Sequence, residues 1–399
     1  MPDVDAARPL QGVRVVEVAG FVFVPIATAI MADLGADVIK IEPPTGDGLR
    51  RGNLGGGDEI EAMDVLVEFS NRGKRSVALD LSGDEGRAAL YRLVETADVF
   101  ATSYLERVRR RLQIDVEDIQ AIKPSIIYAR GSGWGSVGPM RDAPAFDLVS
   151  AWAGSGVASL MVDREGEPPT MPIGIFDTQA GSVLAGAIAM ALYQRAVSGV
   201  GTVVDSSLLN AGMWAIQADI TSDRLGIETV RTIRDRPNNA LVNWYRTRDG
   251  RWVYFALTRS AAEWSDLCRV TDRVDLLDDE RFATEADRLR NAHSLGDVLS
   301  ELIAQRSLAQ WQDAFADFTG CWGPMLEPAE LPVHPQVAVN GFMNDHRTVA
   351  GSPIELVAPP MRFGGASTRP AGPAPFVGQH TTEVLAEVGL GGRDNPATA

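Results

Sequence analysis

Asp177 is the carboxylate in this sequence best placed to do chemistry. It stands in the run Met171-Pro172-Ile173-Gly174-Ile175-Phe176-Asp177-Thr178-Gln179-Ala180-Gly181. The pattern predicts a strand over Met171–Phe176 and a small-residue helix over Val183–Arg195. Asp177 then emerges at the carboxyl end of a parallel sheet, where such folds bind ligands. Helix N–H groups nearby could stabilise an oxyanion. The same acid would serve equally as an N-cap, a common role for Asp ahead of a helix, and the residues alone leave both readings open. Arg107, Arg109, Arg110 and Arg111 form the densest positive cluster in the chain. A charge run is usually a solvated helix face, but against a net charge of -16 the cluster points to phosphate binding for at least one of the four.

Other candidate motifs fail on context. Gly133-Trp134-Gly135-Ser136-Val137-Gly138 fits GxGxxG, yet Pro139 to Pro144 follow with loop chemistry. A dinucleotide site needs a helix to open directly at the glycines. His293, His334, His346 and His380 are far apart, and Cys268 and Cys321 lack metal-ligand spacing. No metal site, disulfide framework or Ser-His hydrolase is expected.

The elements that must position these groups follow from periodicity. Strands are predicted at Val13–Val18, Val38–Ile41, Ser76–Leu81, Val99–Ala101, Ser125–Ala129 and Thr202–Val204, alternating with helices. One helix has Pro25 in its first turn and Gly35 as its stop; another opens at Ser82 with Glu85 in capping-box spacing. The alternation implies an α/β, doubly wound parallel sheet, Rossmann-like in class. After about residue 225 the pattern changes to an antiparallel hairpin, Trp244–Thr247 and Arg251–Ala256 around Asp249-Gly250. Helices follow over Ala261–Val270, Asp287–Arg306 and Leu308–Phe318, and a last one over Thr382–Val388. The expected domains are therefore 1–225 (large), 226–330 (smaller, α+β) and 331–399 (a segment rejoining the first). In 399 residues, 45% apolar and 23% charged, this is an ordinary globular composition. The acidic net charge argues against nucleic acid, and the most apolar stretch, Val183–Tyr193, is about half a membrane span. The acidic N-terminus lacks the apolar core of a signal peptide, so the expectation is cytoplasmic.

Across nearly its whole length the chain resembles the family III (CaiB/BaiF) CoA-transferases, which include formyl-CoA transferase and the carnitine and bile-acid CoA-transferases. The resemblance lies in LQGVRVVEVAG with Pro25, LGADVIKIEPP (Leu34–Pro44), NRGKRSVALDL (Asn71–Leu81), ADVF and the GSGWGSVGP loop. It continues through AFDLV (Ala145–Val149), Asp177 with Ala180-Gly181, NWYRTRDGRWV (Asn243–Val253), HPQV (His334–Val337) and GQHTTEVL (Gly378–Leu385). No piece is conclusive alone, but their order and spacing are highly specific. The resemblance implies CoA exchange between carboxylic acids through a covalent intermediate on Asp177, with no metal, in an interlocked homodimer. It implies Asp147 near the reacting carbonyl, for which a helix cap is the alternative. Gly20, Phe21 and Val22 would line the CoA thiol end, Lys74 and Arg75 would approach the nucleotide, and Arg111 would reach a phosphate. Where relatives carry Asn-Phe-Arg-Pro-Gly this chain has Ser103-Tyr104-Leu105-Glu106-Arg107, a departure in the loop near the CoA base; Tyr104 in it is a further expected CoA contact. No glycine run like that of formyl-CoA transferase occurs between 235 and 260. Gly52–Met63, together with the hairpin near Trp244, is expected to line the acyl pocket.

The nearest competitor is an α-methylacyl-CoA racemase. In those enzymes a histidine and an aspartate stand where this chain has Phe146-Asp147, and Phe146 cannot carry a proton. Their small-domain glutamate has no match near Leu257-Thr258-Arg259. A CoA-binding protein with a vestigial site and a nicotinamide-dependent dehydrogenase are the remaining alternatives. The first is opposed by the intact segment around Asp177, the second by the glycine-loop context.

Overall fold

In chain order, β1 (Arg14–Val18), α1 (Phe23–Asp33), β2 (Asp37–Glu42), α2 (Val65–Asn71), β3 (Arg75–Ala78), α3 (Asp84–Thr96), β4 (Val99–Thr102), α4 (Glu106–Leu112), α5 (Val116–Ile122) and β5 (Ile127–Ser132) build the first half of a doubly wound sheet. A π-helical turn (Leu148–Ala153), α6 (Val157–Met161), α7 (Ile175–Ser198), β6 (Val203–Ser207) and α8 (Leu208–Ala215) complete it. The structure is a computed structural model and describes residues 8–51, 65–162, 166–227, 237–258 and 260–390. The expected acyl-pocket loop Gly52–Met63 lies outside them.

The six strands run parallel in the order β3-β2-β1-β4-β5-β6. Side chains alternate between the faces of a strand, and β1 shows the result. Val15 points into a core shared with Ile26 and Ile30 of α1 and Leu184 and Ile188 of α7. Val16 joins the opposite core with Leu90 and Leu93 of α3 and Phe100 of β4. Both faces being covered, the strands read as continuous apolar runs.

Within this apolar frame lies a charged cluster. Glu17 of β1 and Lys40 of β2 are register partners, both without exposure. Lys40 Nζ meets Glu17 Oε1 at 2.8 Å and Asp47 at 3.0 Å, while Lys74 Nζ meets Glu17 Oε2 at 2.6 Å. Thr28 of α1 donates its hydroxyl to the same glutamate. Buried charges persist when paired. Burial alone would raise Glu17, but Lys40 and Lys74 outweigh it and hold its carboxyl down at about 2.

Two expected element starts in this unit are corrected. Met171–Phe176 is not a strand, because α7 begins at Ile175 after Gly174, whose φ of 87° makes a left-handed N-cap. A short apolar run with Pro and Gly inside it reads like a strand end, but the sheet already closes through β6. Ser82 does not open α3 either. Its hydroxyl bonds Asp80, and Gly83 is the N-cap.

The chain divides into two units, one reaching to Gln217 and resuming at Pro335, the other spanning Ala218–His334; the sequence had set these boundaries at 225/226 and 330/331. The second unit contains α9 (Gln217–Arg224, entered from the first), β7 (Val242–Arg246), β8 (Trp252–Ala256), α10 (Ser260–Val270), α11 (Glu285–Arg290), α12 (Ala292–Ile303), α13 (Leu308–Ala314) and β9 (Trp322–Pro324). The predicted hairpin is β7–β8, extended antiparallel by β9. The helix expected over Asp287–Arg306 breaks at Asn291 into α11 and α12. Its own core gathers Tyr245, Phe255, Trp264, Leu299 and Trp311.

The returning segment carries α14 (Pro335–Asn340), the antiparallel pair β10 (Met343–Arg347) and β11 (Pro353–Val357), the short pair β12 (Arg362–Phe363) and β13 (Ala366–Ser367), and α15 (Thr381–Glu387). It is fastened to α2 and β3 by polar side chains. His346 meets Glu68 at 2.8 Å, and His380 Nδ1 accepts the Ser76 N–H at 3.1 Å.

Candidate active site

Asp177 is the third residue of α7, and its helix position follows from glycine at the cap. The carboxylate is 8% exposed and faces a cavity of about 410 Å³. Burial, and secondarily the Asp147 carboxylate, push its pKa up to about 7. Among the described residues no cation offsets those two influences. A buried acid with no counter-ion is held in the reactive part of the pH scale.

The cavity opens at the carboxyl ends of the strands. Ala19 and Gly20 follow β1, Pro43 follows β2, Ser103 and Tyr104 follow β4, and Gly133 follows β5. That edge, on either side of the β1–β4 pair where the strand order reverses, is where doubly wound sheets bind ligands. α1 and α7 approach closely beneath it. A Cβ on Gly181 would stand 2.5 Å from Ile26 and 2.7 Å from the Phe23 carbonyl, so only glycine lets the two helices meet there.

Of the two roles weighed for Asp147, the structure shows the cap. Its carboxylate accepts the Leu148 N–H at 2.8 Å, capping the π-helical turn, and the Gly174 N–H at 2.9 Å, fixing the start of the helix that carries Asp177. Burial raises its pKa against these amide bonds.

The structure brings Gly20, Phe21, Tyr104 and Asp177 to one cavity. Gly20 donates its N–H to Ser103 Oγ at 3.0 Å. Val22 is buried at the cap of α1. Lys74 and Arg75 are placed elsewhere. Lys74 is wholly buried on Glu17 and the Pro25 carbonyl (2.9 Å), and burial, joined by Lys40 beside it, pushes its pKa down despite Glu17. Arg75 points to the opposite face, binding Asp37 at 2.7 Å and Glu387. Arg111 is on the exposed face of α4 and lines no part of the cavity. The arginines that do line it are Arg109, Arg130 and Arg141, each in an ion pair, with Asp115, Asp205 and Glu106 respectively.

Sequence reading missed Asp47, Phe146 as a wall, and Leu208. Gly46-Asp47-Gly48 has the composition of a turn, and nothing in it signals a buried acid. The GxGxxG segment forms a run of turns with Gly135 and Gly138 at positive φ, and a helical turn follows only at Leu148. Among the described residues, no group of three or more His, Cys, Asp or Glu could hold a metal ion.

Comparison with known proteins adds independent findings. The family model described as CoA-transferase family III matches residues 10–381. The (R)-2-hydroxy-4-methylpentanoate CoA-transferase of Clostridioides difficile is 29% identical over 394 residues, covering 95% of each chain. The human succinyl-CoA:glutarate CoA-transferase is 27% identical, covering 97% of this chain and 87% of its own. A solved CaiB/BaiF family protein from Brucella suis superposes with a TM-score of 0.83 at 28% identity, covering 96% of this chain and all of its own.

Proposed function

The chain belongs to CoA-transferase family III, and from that premise we propose that it moves CoA from an acyl-CoA to a carboxylic acid through a covalent intermediate on Asp177. The observation that carries this reading is the Asp177 carboxylate itself, buried in the wall of the cavity with no cation among the described residues to neutralise it. An unpaired, poorly solvated carboxylate is a stronger nucleophile than one held in an ion pair.

A carboxylate oxygen of Asp177 attacks the donor thioester carbonyl. The C–S bond breaks, CoA leaves as thiolate, and a mixed anhydride joins enzyme and donor acid. The thiolate then attacks the aspartyl carbonyl carbon, the anhydride C–O bond breaks, and the donor acid departs as carboxylate. The acceptor carboxylate reverses the two steps on the aspartyl thioester. Each thioester or anhydride is traded for another of similar energy, so no ATP is spent. Asp147 serves by holding the Gly174 amide and thus the start of the nucleophile's helix.

Gly20, Phe21, Val22 and Tyr104 are the proposed contacts for the CoA arm, with Arg141 at the cavity and Arg111 outside it as the cations free enough to meet phosphate. Arg141 is half-exposed on Glu106 and can exchange partners, whereas Lys74 and Arg75 are committed to buried or cross-sheet pairs. The relatives named above act on a branched hydroxy acid in one case and on dicarboxylates in another, so a panel of acids must identify the pair exchanged here.

The test is intact-protein mass measurement after mixing with acyl-CoA. The unaltered enzyme should gain a CoA-sized adduct, and Asp177→Ala should gain none and lose turnover by at least about 10³-fold. Turnover surviving in that variant defeats the proposal.

A further inference from the structure

We propose that Asp47 is a positioning residue of this site: its carboxylate holds Phe21 in a left-handed backbone conformation against the reacting end of the cavity, a role that takes the CoA-transfer reading as given. Phe21 has a φ of 63°. That region crowds the Cβ of any residue except glycine, and a bulky side chain occupies it only where its surroundings impose it.

The constraint is visible in the hydrogen bonds. Asp47 Oδ1 accepts the Phe21 N–H at 3.2 Å and the Leu49 N–H at 2.9 Å. Oδ2 stands 3.0 Å from Lys40 Nζ, which is also fixed by Glu17 and, at 2.9 Å, by the Ala19 carbonyl. Asp47 is 4% exposed and Lys40 wholly buried, so neither can turn to water. The loop bearing Asp47 is braced in turn. Glu42 accepts the Asp47 N–H at 3.0 Å and two nitrogens of Arg50 at 2.8 and 2.9 Å. A Cβ on Gly20 would lie 3.1 Å from Asp47 Oδ1, and one on Gly48 would lie 3.2 Å from the Phe21 ring.

The left-handed turn directs the Phe21 ring onto the edge of Phe146, with centroids 5.1 Å apart and planes at 81°. Phe146 precedes Asp147, which holds Gly174. Two buried acids thus converge on Asp177, one through Phe21 and Phe146 and the other through the helix start. If Asp47 were only a counter-ion for Lys40, the Phe21 backbone would be indifferent to it.

Asp47→Asn separates the two roles. An amide has one oxygen, so it cannot face both Lys40 and the two backbone N–H groups, and the charged Lys40 Nζ, the stronger donor, takes it. A crystal structure of Asp47→Asn should show Phe21 outside the left-handed region, and a Phe21 that keeps its positive φ overturns the proposal. Rapid mixing at saturating acyl-CoA should show adduct formation at least about tenfold slower. A wild-type adduct rate in this variant also overturns it. Glycine adopts the left-handed region without restraint, so in a Phe21→Gly background the same change should slow the adduct by less than about threefold more. Equal slowing in both backgrounds makes Asp47 scaffolding alone. If the unaltered enzyme forms no adduct with any acyl-CoA, the CoA-transfer reading falls instead, and the Phe21 conformation is still decided by the crystal structure.

Discussion

At the residue scale, the reactivity of Asp177 is a matter of which protonation state burial permits. Only the carboxylate attacks, and its pKa is pushed up to about 7. Below that value the active fraction falls about tenfold per pH unit. The rate of adduct formation should therefore climb through pH 5 to 7 and level off above 8, measured by rapid mixing in buffers of constant ionic strength. A flat profile over that range would mean the acid is ionised throughout, as an ordinary surface Asp would be. The place of Asp177 in the cavity was legible from its segment and family likeness. The misassigned neighbours show where sequence stops. Lys74 and Arg75 are adjacent, so entering β3 they point to opposite faces, one under α1 and the other towards α15. Adjacent cations look like a phosphate clamp in one dimension, while Glu17, Asp37 and Glu387, the acids that claim them, are remote in sequence.

At the element scale, the site depends on how closely α1 and α7 approach. Gly181 lies on the buried face of α7, and a methyl group there would meet Ile26 and the Phe23 backbone. Gly181→Ala should destabilise the chain by about 1–3 kcal/mol, as overpacked cores do. Equilibrium urea unfolding measures it, and a variant as stable as the parent would show that the helices can part at no cost. The alternation of strands and helices was readable because both faces of the sheet are covered, which leaves β1, β2, β4 and β5 as short apolar runs. The start of α7 was not readable. A left-handed glycine cap leaves no side-chain signature, and Ile173, Ile175 and Phe176 imitate a strand. The break between α11 and α12 was hidden for a similar reason, since Asn291 is an ordinary helix-surface residue until its side chain bonds the Arg281 and Asp287 carbonyls.

At the scale of the whole molecule, α7 presents an apolar face that none of the described residues of a single chain covers. Met190, Tyr193 and Val197 are 70%, 74% and 73% exposed, and Trp214 of α8 is 64% exposed. By length and composition α7 is also apolar enough to cross a membrane, although Ala180, Leu184 and Ile188 are in the core. Exposed patches of this kind mark association surfaces, and a homodimer closed over α7 is the expected form. Sedimentation at micromolar concentration should give twice the chain mass without detergent or lipid. A monomer would refute it, and so would Tyr193→Glu with Val197→Glu leaving the mass unchanged. The route of the chain has a further consequence. Because residues 218–334 interrupt the first unit, Val384 and Leu385 of α15 enter the core beside Ile39, Ile41 and Val77 only after that whole interrupting stretch has been made. On the ribosome the interrupting unit has every residue of its own core before α15 is made, while β2 and β3 wait with an apolar flank uncovered until α15 emerges.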